Sequence, residues 1–278
     1  MRALMFPLLL LAGFSFTTDA VALESGLDAR TAQKLEQALR GDQRSPRHQA
    51  RDQYRHPQQT LAFFGINQAQ TVVEIWPSEG WYTEILAPLL KENGTLYEAS
   101  FAETDPQTKP FRKQMAQDFR AKLAAHPDIY SSVILTELQA PQHVAIAPAG
   151  SADLVLTFRS VHNWLKDGNA DQVFAAMFRA LKPGGVLGVV EHRAQAGTPL
   201  PQMIKTGYVT EAEVIALAQA AGFKLAGSSE INANPRDSKD HPMGVWSLPP
   251  ILRGGADGRE HFLTIGESDR MTLKFVKP

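Results

Sequence analysis

The chain has 278 residues, 44% of them hydrophobic and 21% charged, which suits one substantial folded domain and is too apolar for disorder. Its 28 basic and 29 acidic side chains leave a net charge of −1, which argues against a nucleic-acid partner. It contains no cysteine, so disulfides, thiolate metal sites, thiol nucleophiles and lipid attachment to an N-terminal cysteine are excluded.

The first residues are Met1 and Arg2, followed by an uncharged apolar run over 3–16 and the small-x-small sequence Ala20-Val21-Ala22. That order reads as a secretory signal peptide over 1–22, cleaved after Ala22, with an apolar core too short to span a bilayer. The mature chain is then expected to be periplasmic or secreted, with no membrane span left; an uncleaved anchor is the alternative. Residues 23–60 read as an N-terminal helix and a basic linker. Leu27, Ala32, Leu35 and Leu39 have helical spacing and Gly41 stops the helix. The following DQRSPRHQARDQYRHP reads as a solvated linker laid over a sheet, with contact to an anionic ligand as the sharper alternative.

From residue 61 to the end, the pattern is that of one α/β domain. Residues 61–64 are a short helix. TVVEIWPSEGWYTEILAPLL then gives a short apolar strand (Val72, Val73, Ile75), a turn, and an amphipathic helix entered near Ser78 and Gly80. Strands are expected at 95–100, 131–136, 152–159, 185–191, 223–226 and 271–276. Helices are expected at about 108–125, at 169–181, and after Thr210, which has the capping-box partner Glu213. ADLVLTFR is a continuous apolar strand, the kind buried on both faces of a parallel sheet. Residues 232–269 form an irregular insert before the last strand. Loops of that length in compact domains are commonly functional covers, and Trp246, Pro249 and Pro250 suit an ordered one.

Three stretches, VVEIWPSEGWYTEILAPLL, SADLVLTFRSVHNW and MFRALKPGGVLGVVEHRA, together make the chain resemble the class I S-adenosylmethionine-dependent methyltransferases. Within that family it is most similar to an exported bacterial group known only as predicted methyltransferases. The resemblance implies a Rossmann-like sheet of seven mostly parallel strands, helices on both faces, and the last strand antiparallel between the fifth and sixth. It also implies S-adenosylmethionine as cofactor, lying across the carboxyl ends of the first strands. On that basis Glu74, Trp76, Ser78, Gly80, Glu98 and Arg159 are the expected cofactor contacts. Trp76 and Ser78 stand where the family has glycines, and Ser100 stands near the usual ribose-binding acid.

Chemistry is expected from His162 and Asn163 after the fourth strand and from Glu191 and His192 at the end of the fifth. Histidine titrates near neutral pH and suits acid/base work. The bland reading is that His162 packs beneath a loop and His192 caps a strand. Arg193, His241 and Trp246 are the expected substrate contacts. His162, Glu191, His192 and His241 would make a nitrogen/oxygen ligand set, but no two histidines have the spacing of a zinc helix and the four come from separate loops, so no metal is expected. The leading function is an exported methyltransferase acting on a small molecule. Its rival is a non-catalytic small-molecule binding protein on the same scaffold. A nicotinamide dehydrogenase is disfavoured because G-x-G-x-x-G is missing.

Overall fold

The structure, a computed structural model, describes residues 26–254 and 258–278, so the expected signal peptide lies outside the described residues. Seven strands form one sheet: β1 (Thr71–Ile75), β2 (Thr95–Ser100), β3 (Val133–Glu137), β4 (Ala152–Phe158), β5 (Leu181–His192), β6 (Lys224–Ser229) and β7 (Arg270–Val276). Their order is β3-β2-β1-β4-β5-β7-β6, with β7 running antiparallel between β5 and β6 and the first five strands parallel. This is the Rossmann-like sheet expected from the sequence. Strand order reverses between β1 and β4, which opens a crevice at the carboxyl ends of those strands.

Helices cover both faces: α1 (Ala29–Arg40), α2 (Pro46–Gln49), α3 (Asp52–Arg55), α4 (Pro57–Phe64), α5 (Thr83–Leu90), α6 (Pro110–Ala125) and α7 (Pro127–Tyr130) precede β3. After β4 come α8 (Val161–Asp167), α9 (Ala170–Ala180), α10 (Leu200–Thr206), α11 (Glu211–Ala220) and α12 (Arg259–Ile265). The Thr210 hydroxyl accepts from Glu213 N at 3.2 Å, so the expected cap is formed. No helix among the described residues is long and apolar enough to cross a membrane.

Side chains of a strand alternate between faces, and the two cores divide β1 accordingly. Val73 and Ile75 pack with Phe174 and Met177 of α9 and Val214 of α11. Val72 packs on the opposite face with Leu35 of α1, Leu61 of α4 and Leu86 of α5. Glu74 therefore shares the face of Val72. Its register partner Glu98 lies beside it on β2. Both are buried, and Thr83 Oγ1 donates to Glu74 Oε2 at 2.9 Å. The oxygens of Glu98 find no donor, which leaves a proton shared with Glu74 to join the two. Burial pushes Glu74 up to about 7, and burial together with the charge of Glu74 holds Glu98 well above the carboxylate range.

Two local expectations are corrected. Residues 42–57 are not a solvated linker: α2 and α3 dock on the sheet side, and Arg44, His48 and Arg55 are buried. Trp81 is their anchor. Its Nε1 donates to His48 O at 2.9 Å, and the guanidinium groups of Arg44 and Arg55 lie 5.0 and 4.6 Å from its ring centre. No helix is expected between residues 159 and 169, yet Val161–Asp167 form α8, which Gly168 ends in a left-handed conformation.

The buried carboxyl pair sets a pH dependence. A carboxyl whose folded pKa is raised keeps its proton after the unfolded chain has released it. Its contribution to stability is therefore present at low pH and is lost as pH rises from about 4.5 through about 7 for Glu74, and higher for Glu98. Glu98→Gln replaces the shared proton by an amide donor. The variant is expected to unfold at higher urea concentration than the parent near pH 8, with the gain shrinking towards pH 5 by at most about 1.4 kcal/mol per pH unit. A gain independent of pH would show that the pair does not share a proton.

Candidate active site

Beyond Ile75 the backbone passes through Trp76 (φ 50°), Ser78 (φ 56°) and Gly80 (φ 76°). Three alternate residues in the left-handed region trace the path that alternating glycines take easily. For Trp76 and Ser78 the cost is about 1 kcal/mol or more each. At Gly80 a Cβ would sit 2.9 Å from the Phe119 ring, so that position excludes a side chain. The indole of Trp76 fixes the loop: its Nε1 donates to Leu138 O at 3.0 Å, and its ring centre is 4.6 Å from that of Phe101 and 5.6 Å from that of Trp164. The guanidinium of Arg112 lies over the indole at 4.6 Å. The ring thus spans from the end of β1 across the ends of β2 and β3.

The acid/base candidates meet at the ends of β4 and β5. Arg159 leaves β4 with φ 59° and turns the chain into α8. Glu191, fully buried, accepts from Val161 N at 2.6 Å, from His192 N at 2.8 Å and from His162 Nδ1 at 3.0 Å. A carboxylate only accepts, so Nδ1 of His162 carries the proton and Nε2 keeps its lone pair. The amide of Asn163 donates to that Nε2 at 3.0 Å. The His192 ring is 5.3 Å from that of His162, and its Nδ1 meets Ser268 Oγ at 2.6 Å. Burial, then the neighbouring charges of His162, Arg159, Arg270 and Arg55, hold His192 well below the usual histidine range, so it stays neutral.

Ligating atoms of His162, Glu191 and His192 lie within 4.8 Å of one another, closer than sequence spacing suggested. Both oxygens of Glu191 are already engaged by the backbone and by His162. Glu191, His162 and Asn163 form a hydrogen-bonded chain with the His192 ring beside it.

These groups line a cavity of about 290 Å³, walled by Trp76, Asn163, His162, His192 and Trp246. A second chamber of about 370 Å³ abuts it, sharing Trp76, Ser78, Phe158 and Arg159, and is walled further by Arg51, Arg55, Trp81 and Tyr82. The Tyr82 and Phe158 rings stack at 3.6 Å with 9° between planes, forming its floor. From the insert, Trp246, Pro249, Pro250 and Ile251 reach over the first cavity, and Trp246 meets His162 edge-on at 6.0 Å.

Of the residues singled out in the sequence, the structure brings Trp76, Ser78, Arg159, His162, Asn163, His192 and Trp246 to the cleft, with Glu191 directly behind His162. Glu74 reaches the wall of the second chamber. Four others do not arrive. Glu98 faces α5 rather than the cleft, because it shares the strand face of Leu96 and Glu74. Gly80 packs on Phe119 and shapes the loop from behind. Arg193 is saturated by a two-pronged pair with Asp269 (2.9 and 3.0 Å), by Glu230 and by Glu211. His241 is buried against Asp237 at 2.8 Å, and Asp237 also accepts from Tyr208 and from Asp269 N. Both are struts of the insert. Sequence reasoning missed Arg51, Arg55, Ser268 and Arg270 as cleft residues; the density of arginine in 42–57 was the only signal for the first two.

No protein-family model matches the chain, and no curated protein does. Solved structures do. The [4+2]-cyclase SpnF is similar at a TM-score of 0.58 and 16% identity, over 94% of this chain and 96% of that one. A sarcosine dimethylglycine methyltransferase assigned in Galdieria sulphuraria is similar at 0.53 and 14%, over 85% and 89%. A SAM-dependent methyltransferase from Aquifex aeolicus gives 0.51 and 17%, over 68% and 88%. The fold is that of the class I methyltransferases. At these identities the likeness establishes the scaffold, and the cyclase among the neighbours is a reminder that a scaffold carries more than one chemistry.

A neutral buried His192 has its own signature. Its folded pKa lies below the ordinary 6.5, so the stability it contributes is present above about pH 6.5 and is lost as pH falls and the unfolded chain takes up the proton. His192→Asn keeps a partner for Ser268 without titrating. The variant is expected to lose less stability than the parent between about pH 6.5 and pH 5, by up to about 1.4 kcal/mol per pH unit in urea unfolding. Parallel curves for the two proteins would mean that His192 is already charged in the fold.

Proposed function

We propose that this chain is an S-adenosylmethionine-dependent methyltransferase that is exported and acts on a small molecule whose acceptor atom must lose a proton. One observation carries the reading. On a methyltransferase scaffold, the loop after β1 keeps the left-handed, alternating backbone of a glycine loop and opens on a cleft where His162 is backed by Glu191. Residues 76–80 lie where the resemblance places the donor, and there the Trp76 indole takes room that the family's glycine leaves open. When bound, S-adenosylmethionine supplies an electrophilic methyl group.

The chain's own residues do the rest. Nε2 of His162 accepts the acceptor's proton once the Asn163 amide gives way. Glu191 holds Nδ1–H and stabilises the imidazolium that forms, as the carboxylate does in any carboxylate–histidine pair. His192 remains neutral beside it, so His162 gains its charge without a second cation in contact. Trp246, Pro250 and Ile251 narrow the mouth and keep water from the reacting atoms. Export rests on residues 1–22 and on the absence of cysteine.

A second reading is supported by the same indole. With Trp76 buried across the ends of β2 and β3, and with Glu98 turned away from the cleft, the scaffold also suits a non-catalytic small-molecule binding protein. Calorimetric titration with S-adenosylhomocysteine separates the two. The methyltransferase reading expects the parent to bind, and Trp76→Gly to bind about tenfold more tightly despite losing about 2–4 kcal/mol of fold stability. Absence of binding to both proteins at about 1 mM ligand, with Trp76→Gly still folded, would leave the binding-protein reading.

A further inference from the structure

The second chamber is lined by cations that the relay does not use. Arg51, Arg55 and Arg270 converge on one carboxylate, Glu267, which is buried. Arg55 is itself 3% exposed, yet its second terminal nitrogen has no hydrogen-bond partner, and neither has that of Arg51. Arg159 reaches the wall shared by both chambers, and its guanidinium makes no hydrogen bond or salt bridge to any described residue. The surrounding acids do not balance these charges. Glu79, at the rim, is taken by Arg47 and His48, and Glu74 shares its proton with Glu98 in the sheet.

Arg51 and Arg55 line the second chamber, Arg159 lines both, and Glu267 and Arg270 line the first, so four guanidinium groups meet one glutamate where the chambers adjoin. Such an excess of buried positive charge is costly unless an anion completes it. Guanidinium groups of several arginines lining one chamber, as those of Arg51, Arg55 and Arg159 do, are the donor set that holds phosphate in fork geometry. Beside them, Trp81 and the stacked Tyr82–Phe158 pair offer an apolar wall. We propose that this chamber is the binding site for a phosphate monoester, its dianionic head held by Arg51, Arg55 and Arg159 and its apolar or aromatic body laid on Tyr82 and Phe158. The short path through the wall at Arg159 puts the body of such a ligand next to His162, so the phosphate serves as the handle of the small molecule on which the relay acts. Arg159 has the character such a role needs: burial, then repulsion from Arg270 and Arg51, lowers it to about 10, a strain that a bound dianion relieves.

The site does not depend on the methyl donor, and its test is run without one. Phenyl phosphate is titrated calorimetrically into the full chain, into Arg159→Gln and into Arg236→Gln, an exposed arginine elsewhere on the surface. Phenyl phosphate is expected to bind the parent and Arg236→Gln alike, and Arg159→Gln at least about tenfold more weakly, with phenol and benzoate at least about tenfold weaker than phenyl phosphate on the parent. Because Arg159 makes no hydrogen bond or salt bridge to a described residue and is repelled by Arg270 and Arg51, Arg159→Gln is expected to melt no lower than the parent in phosphate-free buffer and to lose the rise that phenyl phosphate gives the parent. Equal affinity in Arg159→Gln, benzoate binding as tightly as phenyl phosphate, or no binding to the parent at about 10 mM would each overturn the proposal.

Discussion

A single carboxylate, Glu267, joins parts of the chain that are far apart in sequence. It accepts from Arg51 and Arg55 in the N-terminal segment and from Arg270 at the start of β7. Burial alone would push the Glu267 carboxyl up, but the charges of Arg270, Arg55, Arg159 and Arg51 more than offset this and leave it ionised well below the usual range. Without it, three buried or half-buried guanidinium groups would face one another with no shared counter-charge. The cleft exists because this tie brings the N-terminal segment over the end of β1 and the insert over the ends of β4 and β5.

Local packing explains why strain is tolerated at the cleft edge. Trp76, Ser78 and Arg159 are left-handed without being glycine, and each lies where a strand of the parallel sheet opens into the crevice. Such conformations persist when packing over-determines them. Trp76 is held by Phe101, Trp164, Arg112 and the Leu138 carbonyl, and the backbone N–H of Arg159 donates to Val190 O at 2.7 Å. The loop therefore keeps the shape of a glycine loop while its side chains reshape what can lie there. Strain at the ends of β1 and β4 places two walls of one cleft.

Much of the fold was legible because its causes are local. The runs TVVEI and ADLVLTF are apolar enough to be buried on both faces, and β2 runs over the residues its pattern predicts. Thr210 and Glu213 mark a helix start that the structure reproduces. The site was only partly legible. His162, Glu191 and His192 were marked by type and by position after β4 and β5, which the parallel topology alone brings together. Arg193 and His241 carried equally attractive chemistry, yet their partners Asp269, Glu230 and Asp237 lie 4 to 76 residues away and consume it.

Hydrophobic period and turn residues determined that this chain makes one α/β sheet covered by helices, because those signals act over a few residues and survive in any context; the seven-stranded methyltransferase order came from the family resemblance. Which charged groups are free was decided only in three dimensions. Charge on a side chain is a property of its partners, and the partners of Arg51, Arg55 and Arg193 come from the far end of the chain, while Arg159 is left with none. A basic stretch that reads as a solvated linker thus becomes the wall of a chamber, and an arginine that reads as a ligand contact becomes a strut.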